Sequence, residues 1–73
     1  MVEKKAWRRF GETQSPTFSH EFEKFFESHG IKADSRMTSD HQAFSLKAFC
    51  TIKEKADYIL ILKKRYGKYI SGI

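Results

Sequence analysis

The stretch "DYILILKKRYGKYISGI", Asp57 to Ile73, decides the fold. Five apolar residues, Tyr58 to Leu62, run into Lys63, Lys64 and Arg65, and then into Tyr66-Gly67-Lys68-Tyr69. Two readings compete. For a helix, Thr51 to Glu54 fits a capping box, the three cations suit the negative C-terminal end, and Gly67 provides a stop. Against it, five successive apolar residues at 100° each go round the whole circumference, and a short chain has little material to bury such a helix. A strand apolar on both faces avoids that demand, and Tyr and Ile favour strands. The expectation is therefore two strands, 58–64 and 69–73, joined by a tight turn at Tyr66-Gly67. The alternative is a three-helix bundle.

Upstream, "SPTFSHEFEKFFESHG" (15–30) has the signs of an amphipathic helix. Ser15 is a good N-cap, and Pro16 suits the first helical position because its missing N–H would be unpaired there anyway. Phe18, Phe22, Phe25 and Phe26 fall on one helical face. Gly30 suits a left-handed residue after the helix, with Ile31 reaching back to Phe26. This spacing predicts a helix over 16–29. Beyond it, residues 31–38 alternate weakly, with Ile31, Ala33, Ser35 and Met37 on one side and Lys32, Asp34, Arg36 and Thr38 on the other. Residues 43–52 alternate more strongly: Phe44, Leu46, Ala48, Cys50 and Ile52 against Ser45, Lys47, Phe49 and Thr51.

The resulting expectation is an α+β fold. One helix (16–29) packs on a three- to four-stranded antiparallel sheet formed from 31–38, 43–52, 58–64 and 69–73. Seventy-three residues read as a single small basic domain, with 1–12 either a flexible basic arm or a segment that docks Trp7 and Phe10 on the core. A helix followed by antiparallel strands resembles the first part of double-stranded RNA-binding domains. That family also carries a C-terminal helix with a basic N-terminal end, for which the strand reading of 58–73 leaves no room.

Charge narrows the partners. The formal net charge is +5, concentrated at the two ends, with residues 11–43 net acidic. Such a distribution attracts polyanions to part of the surface. On the strand reading, Phe44, Leu46, Ala48, Cys50, Ile52, Tyr58, Leu60, Leu62, Tyr69 and Ile73 form the core face. The opposite face gathers Lys47, Phe49, Ile59, Ile61, Lys63, Arg65, Lys68 and Ile70. Four cations there surround an apolar centre, the pattern of an interaction site. Lys4, Lys5, Arg8 and Arg9 flank Trp7 in a second basic cluster suited to phosphates and base stacking.

The expected function is thus a non-enzymatic binding module that contacts RNA or single-stranded DNA through this face and the N-terminal segment. The alternative is a small regulatory protein that docks on an acidic protein surface through the same face, or pairs there with a second copy. Several classes of chemistry lack their residues. The three histidines and the single cysteine show no chelating spacing, so no metal and no cofactor are expected. Ser19 and His20 are adjacent on a helix and do not face each other, which argues against a nucleophile–base pair. The N-terminal ten residues lack the apolar run of a secretion signal, and the lone cysteine suits a reducing, cytoplasmic setting.

Overall fold

The computed structural model describes residues 3–72. The chain runs β1 (Ala6–Thr13), α1 (Pro16–Glu27), β2 (Ala33–Met37), β3 (Phe44–Cys50) and α2 (Ile52–Tyr66). The strands form one antiparallel sheet in the order β1-β3-β2, so β3 is central. Both helices contribute to one apolar core on one side of it. The architecture is α+β with two helices on three strands. Among the described residues it is neither a three-helix bundle nor a four-stranded sheet.

Helix α1 forms as its sequence dictates. The Ser15 side chain accepts from the Phe18 N–H at 3.1 Å, and Pro16 opens the helix. At the other end Gly30 takes φ +71°, Gly30 N–H donates to the Glu27 carbonyl, and Ile31 N–H donates to the Phe26 carbonyl at 2.9 Å. These two bonds satisfy carbonyls that the last turn would otherwise leave unpaired, as in a Schellman ending. The helix ends two residues earlier than its spacing predicts.

The strand reading of 58–64 is overturned: these residues lie in α2. Thr51 caps the helix, its side chain accepting from Glu54 N–H at 3.1 Å while the Glu54 carboxylate accepts from Thr51 N–H at 2.9 Å. The circumference argument fails because a helix needs only one buried stripe. Tyr58, Ile59, Leu62 and Tyr66 supply it, while Leu60 stays 69% exposed on the far side. Exposed apolar side chains are common on folded surfaces and forbid nothing. A strand at 58–64 also could not pair with the preceding strand as its hairpin partner, since both edges of β3 are taken by β1 and β2.

The strand expected at 69–73 is also absent among the described residues; Ser71 alone bridges to Glu12 of β1, and Ile73 lies outside them. The third strand comes instead from the N-terminal segment, β1. A bulge between Arg9 and Gly11 sets Phe10 and Gly11 against one partner position on β3. Gly11 holds φ 109° there, in a region that residues with a Cβ rarely enter. The extra residue lets both Phe10 and, further on, Thr13 turn into the interior.

That interior is aromatic. Phe10 packs edge-on against Phe26 at 5.1 Å and against Phe22 at 5.8 Å between ring centroids. Tyr58 of α2 meets Phe26 at 5.0 Å, and Tyr66 meets Phe18 at 5.1 Å. Leu46, Ala48 and Cys50 line the floor from β3, as their parity predicts. Phe, Tyr and Leu bring large apolar area per residue, which a 73-residue chain needs to form a core. The C-terminal helix removes one difference from the double-stranded RNA-binding pattern. A new one replaces it, because β1 precedes α1 and pairs beside the central strand.

Candidate functional site

Since α1 and α2 cover one face of the sheet, the other is left without a helix over it among the described residues. Register decides what stands on it. Trp7 is opposite Phe49, and Arg9 is opposite Lys47. On the other side of β3, Asp34 is opposite Lys47 and Arg36 is opposite Ser45. Lys32 sits beside Phe49, whose N–H donates to the Lys32 carbonyl at 2.8 Å. Directly opposed residues in an antiparallel pair point to the same face. Alternation in β3 sends Ser45, Lys47 and Phe49 outward because Leu46, Ala48 and Cys50 go inward.

The centre of this face is an aromatic pair. Trp7 and Phe49 meet edge to face with centroids 5.7 Å apart, and are 52% and 36% exposed. Cations share the face with them: Lys32, just before β2, beside Phe49, Arg9 and Lys47 in the next row, and Arg36 on β2 further along, opposite Ser45. Two carboxylates temper the charge, Glu12 paired to Arg9 and Asp34 paired to Arg36 at 2.9 Å. An open cleft of about 500 Å³ borders Trp7 and is lined by Lys32, Ala33 and Asp34 together with Glu27, Gly30 and Ile31.

The residues expected from sequence to form one face are dispersed. Lys47 and Phe49 hold their expected places and are joined by Trp7 and Arg9. Arg8 points away, its Nε donating to the Cys50 carbonyl at 2.8 Å and its Nη2 to the Lys4 carbonyl. Lys4 and Lys5 are exposed just before β1. Ile59 packs against the core, and Ile70 is buried at 9% exposure, so the expected isoleucine patch does not exist. Ile61 is partly exposed on α2, where Lys63 and Arg65 sit near its C-terminal end. Lys68 borders a second cleft, with Thr13, Gln14, Ser15 and Tyr69. Ile52, Leu60 and Tyr69, expected in the core, are exposed.

Sequence reasoning does not single out Lys32, Asp34 and Arg36 as site residues. Their alternation is visible, but only the pairing of β2 with β3 puts them beside Lys47. Another unforeseen feature lies on α2, where Ile52, Ala56 and Leu60 recur at i, i+4 and i+8 along an exposed stripe next to Lys53, Lys63 and Lys64.

Burial raises the Cys50 thiol above its ordinary pKa, with the Glu54 carboxylate adding to the shift, so the sulfur is held as a neutral thiol in the core. Burial likewise raises Tyr58, whose ring lies against Phe25 and Phe26. Neither group adjoins the open face. Among the described residues, no group of three or more His, Cys, Asp and Glu is placed to hold a metal ion. Among the same residues, no helix is long and apolar enough to cross a membrane. Comparison of the chain with protein-family models, with curated proteins and with solved structures gives no match.

Proposed function

We propose that this protein is a non-enzymatic binding module that holds single-stranded RNA or DNA on the open face of its sheet. The observation that carries the reading is the solvent-exposed Trp7–Phe49 pair on the same face as Lys32, Arg9 and Lys47. Aromatic side chains offer π-faces on which any base stacks, and neighbouring cations neutralise the phosphates between bases. The edge-to-face arrangement makes a corner rather than a flat platform. A base lying on one ring abuts the other, so the pair holds one base more firmly than its neighbours. Arg9 and Lys47, opposite each other beside the corner, are placed for the adjoining phosphates. Binding of this type is mostly electrostatic and sequence-tolerant.

Trp7 is the only tryptophan, which gives a direct test. Titration with a single-stranded oligonucleotide at low salt should quench its fluorescence, and added salt should reverse the change. Absence of any quenching or gel shift with RNA and DNA at low salt overturns the reading.

A second reading has its own observation. The exposed Ile52–Ala56–Leu60 stripe of α2, flanked by lysines, suits an acidic protein partner. On that reading the protein is a small regulator, and Leu60→Asp abolishes complex formation while leaving the fold intact. Retention of the complex by that variant excludes the stripe.

A further inference from the structure

The two edges of the sheet differ. The outer edge of β1 is engaged near its C-terminal end, where Glu12 N–H donates to the Ser71 carbonyl and Ser71 N–H donates to the Glu12 carbonyl, both at 2.8 Å. Strand β2 has β3 on one side, and no described strand lies on its other side. The phase of its hydrogen bonds shows which groups face outward. Phe49 N–H donates to the Lys32 carbonyl and Thr38 N–H to the Ala43 carbonyl, so the even-numbered residues Lys32, Asp34, Arg36 and Thr38 bond towards β3. By the alternation of an antiparallel ladder, the N–H and C=O groups of Ala33, Ser35 and Met37 point away from it.

We propose that this edge is a dimerisation surface, pairing antiparallel with β2 of a second copy about a two-fold axis at Ser35. In that register Ser35 faces its own counterpart, and Ala33 faces Met37 of the other copy. The outward-pointing groups then form about six backbone hydrogen bonds across the axis. The same register sets Asp34 opposite Arg36 of the other copy, twice. Charged side chains normally blunt an exposed edge against self-association. Here one negative and one positive residue flank the axis symmetrically, so self-pairing turns them into two complementary cross-strand pairs. Met37, 52% exposed at this edge, gains the apolar contact of the other copy's Ala33. The two sheets join into one of six strands, and the open faces become continuous. An isologous contact of this type closes at two copies and does not propagate.

The charge pattern supplies the test. Sedimentation velocity over a wide concentration range should show a monomer–dimer equilibrium for the unaltered chain. Arg36→Asp places like charges opposite each other and should leave only monomer, as should Asp34→Arg. Mixed in equal amounts, the two single variants should form a heterodimer, because each then meets the opposite charge. Ser35→Pro removes an N–H that no intrachain bond of β2 with β3 uses, and should also abolish the dimer while the far-ultraviolet circular dichroism is kept. Three results overturn the proposal: a monomer at every concentration, dimers in all variants alike, or no heterodimer from two folded single variants.

Discussion

Trp7 and Phe49 lie directly opposite each other on β1 and β3, their rings edge to face at 5.7 Å on the sheet face that no helix covers. Their inward neighbours explain why they are there. Ala48 and Cys50 are fully buried, so Phe49 between them must point outward. Since the pair faces solvent, it contributes little to the core.

Removing either ring should therefore separate binding from folding. Trp7→Ala and Phe49→Ala should each weaken oligonucleotide affinity by about 1–3 kcal/mol, the usual size of one base–aromatic stack. Thermal midpoints should fall only slightly in both. Fluorescence anisotropy with a labelled oligonucleotide, beside a melting curve, checks the two halves. Unchanged affinity in both variants removes the aromatic corner from the site.

Charge reversal should discriminate between the two basic regions. Lys47→Glu and Arg9→Glu should lower affinity for every sequence tested and flatten its salt dependence. The log–log slope should shrink by about 0.7 for each single-strand phosphate that is no longer neutralised. Lys63→Glu with Arg65→Glu should have a much smaller effect, because those residues stand on α2 and not on the sheet. Equal weakening by both sets would show that the open face has no special role.

The isoleucines should behave oppositely despite their similar context in sequence. Ile70 is buried in the core, so Ile70→Asp should unfold the protein by stranding a charge among apolar groups. Ile61→Asp, on a partly exposed position of α2, should cost under about 1 kcal/mol. Phe22→Ala should cost about 3–5 kcal/mol, a large share of the roughly 5–15 kcal/mol that holds a small domain together. Chemical denaturation measures all three.

The cap of α2 should be sensitive to acid. The Thr51 N–H donates to the Glu54 carboxylate and holds its pKa below the ordinary 4.5, since the bond favours the ionised form. A carboxylate depressed on folding stabilises the native state fully above its unfolded pKa, and loses that effect as pH falls towards the folded one. Glu54→Gln should flatten the stability–pH curve below about 4.5, the ordinary glutamate range, and lower stability at neutral pH, where the ionised carboxylate contributes fully. Thr51→Ala should cost about 0.5–2 kcal/mol at neutral pH. Denaturation midpoints measured across the acid range check both.

Cys50 should resist thiol reagents in the native state. Its sulfur is buried and its ionisation disfavoured, so only the small thiolate fraction in opened molecules reacts. Labelling by a disulfide reagent should accelerate in step with denaturant-induced unfolding. Prompt labelling of the native protein would contradict the burial.

The elements governed by local rules were legible in the amino-acid sequence: Ser15, Pro16 and Gly30 bound α1, the phenylalanine stripe gives its inner face, and alternation in β3 separates Leu46, Ala48 and Cys50 from Lys47 and Phe49. Each depends on neighbours within a few positions, and spacing carries that information. The same local evidence, the Thr51–Glu54 box, also pointed to a helix at 52–66, but the apolar run of 58–62 argued the other way. What only the tertiary structure decided is which segment completes the sheet. β1 takes one edge of β3 and β2 the other, leaving α2 to cover the core with one stripe and expose the rest. Strand pairing joins residues some forty positions apart, as with Trp7 and Phe49, and periodicity carries no signal over that distance. The open face is therefore a property of the assembled sheet, although every residue on it was in plain view.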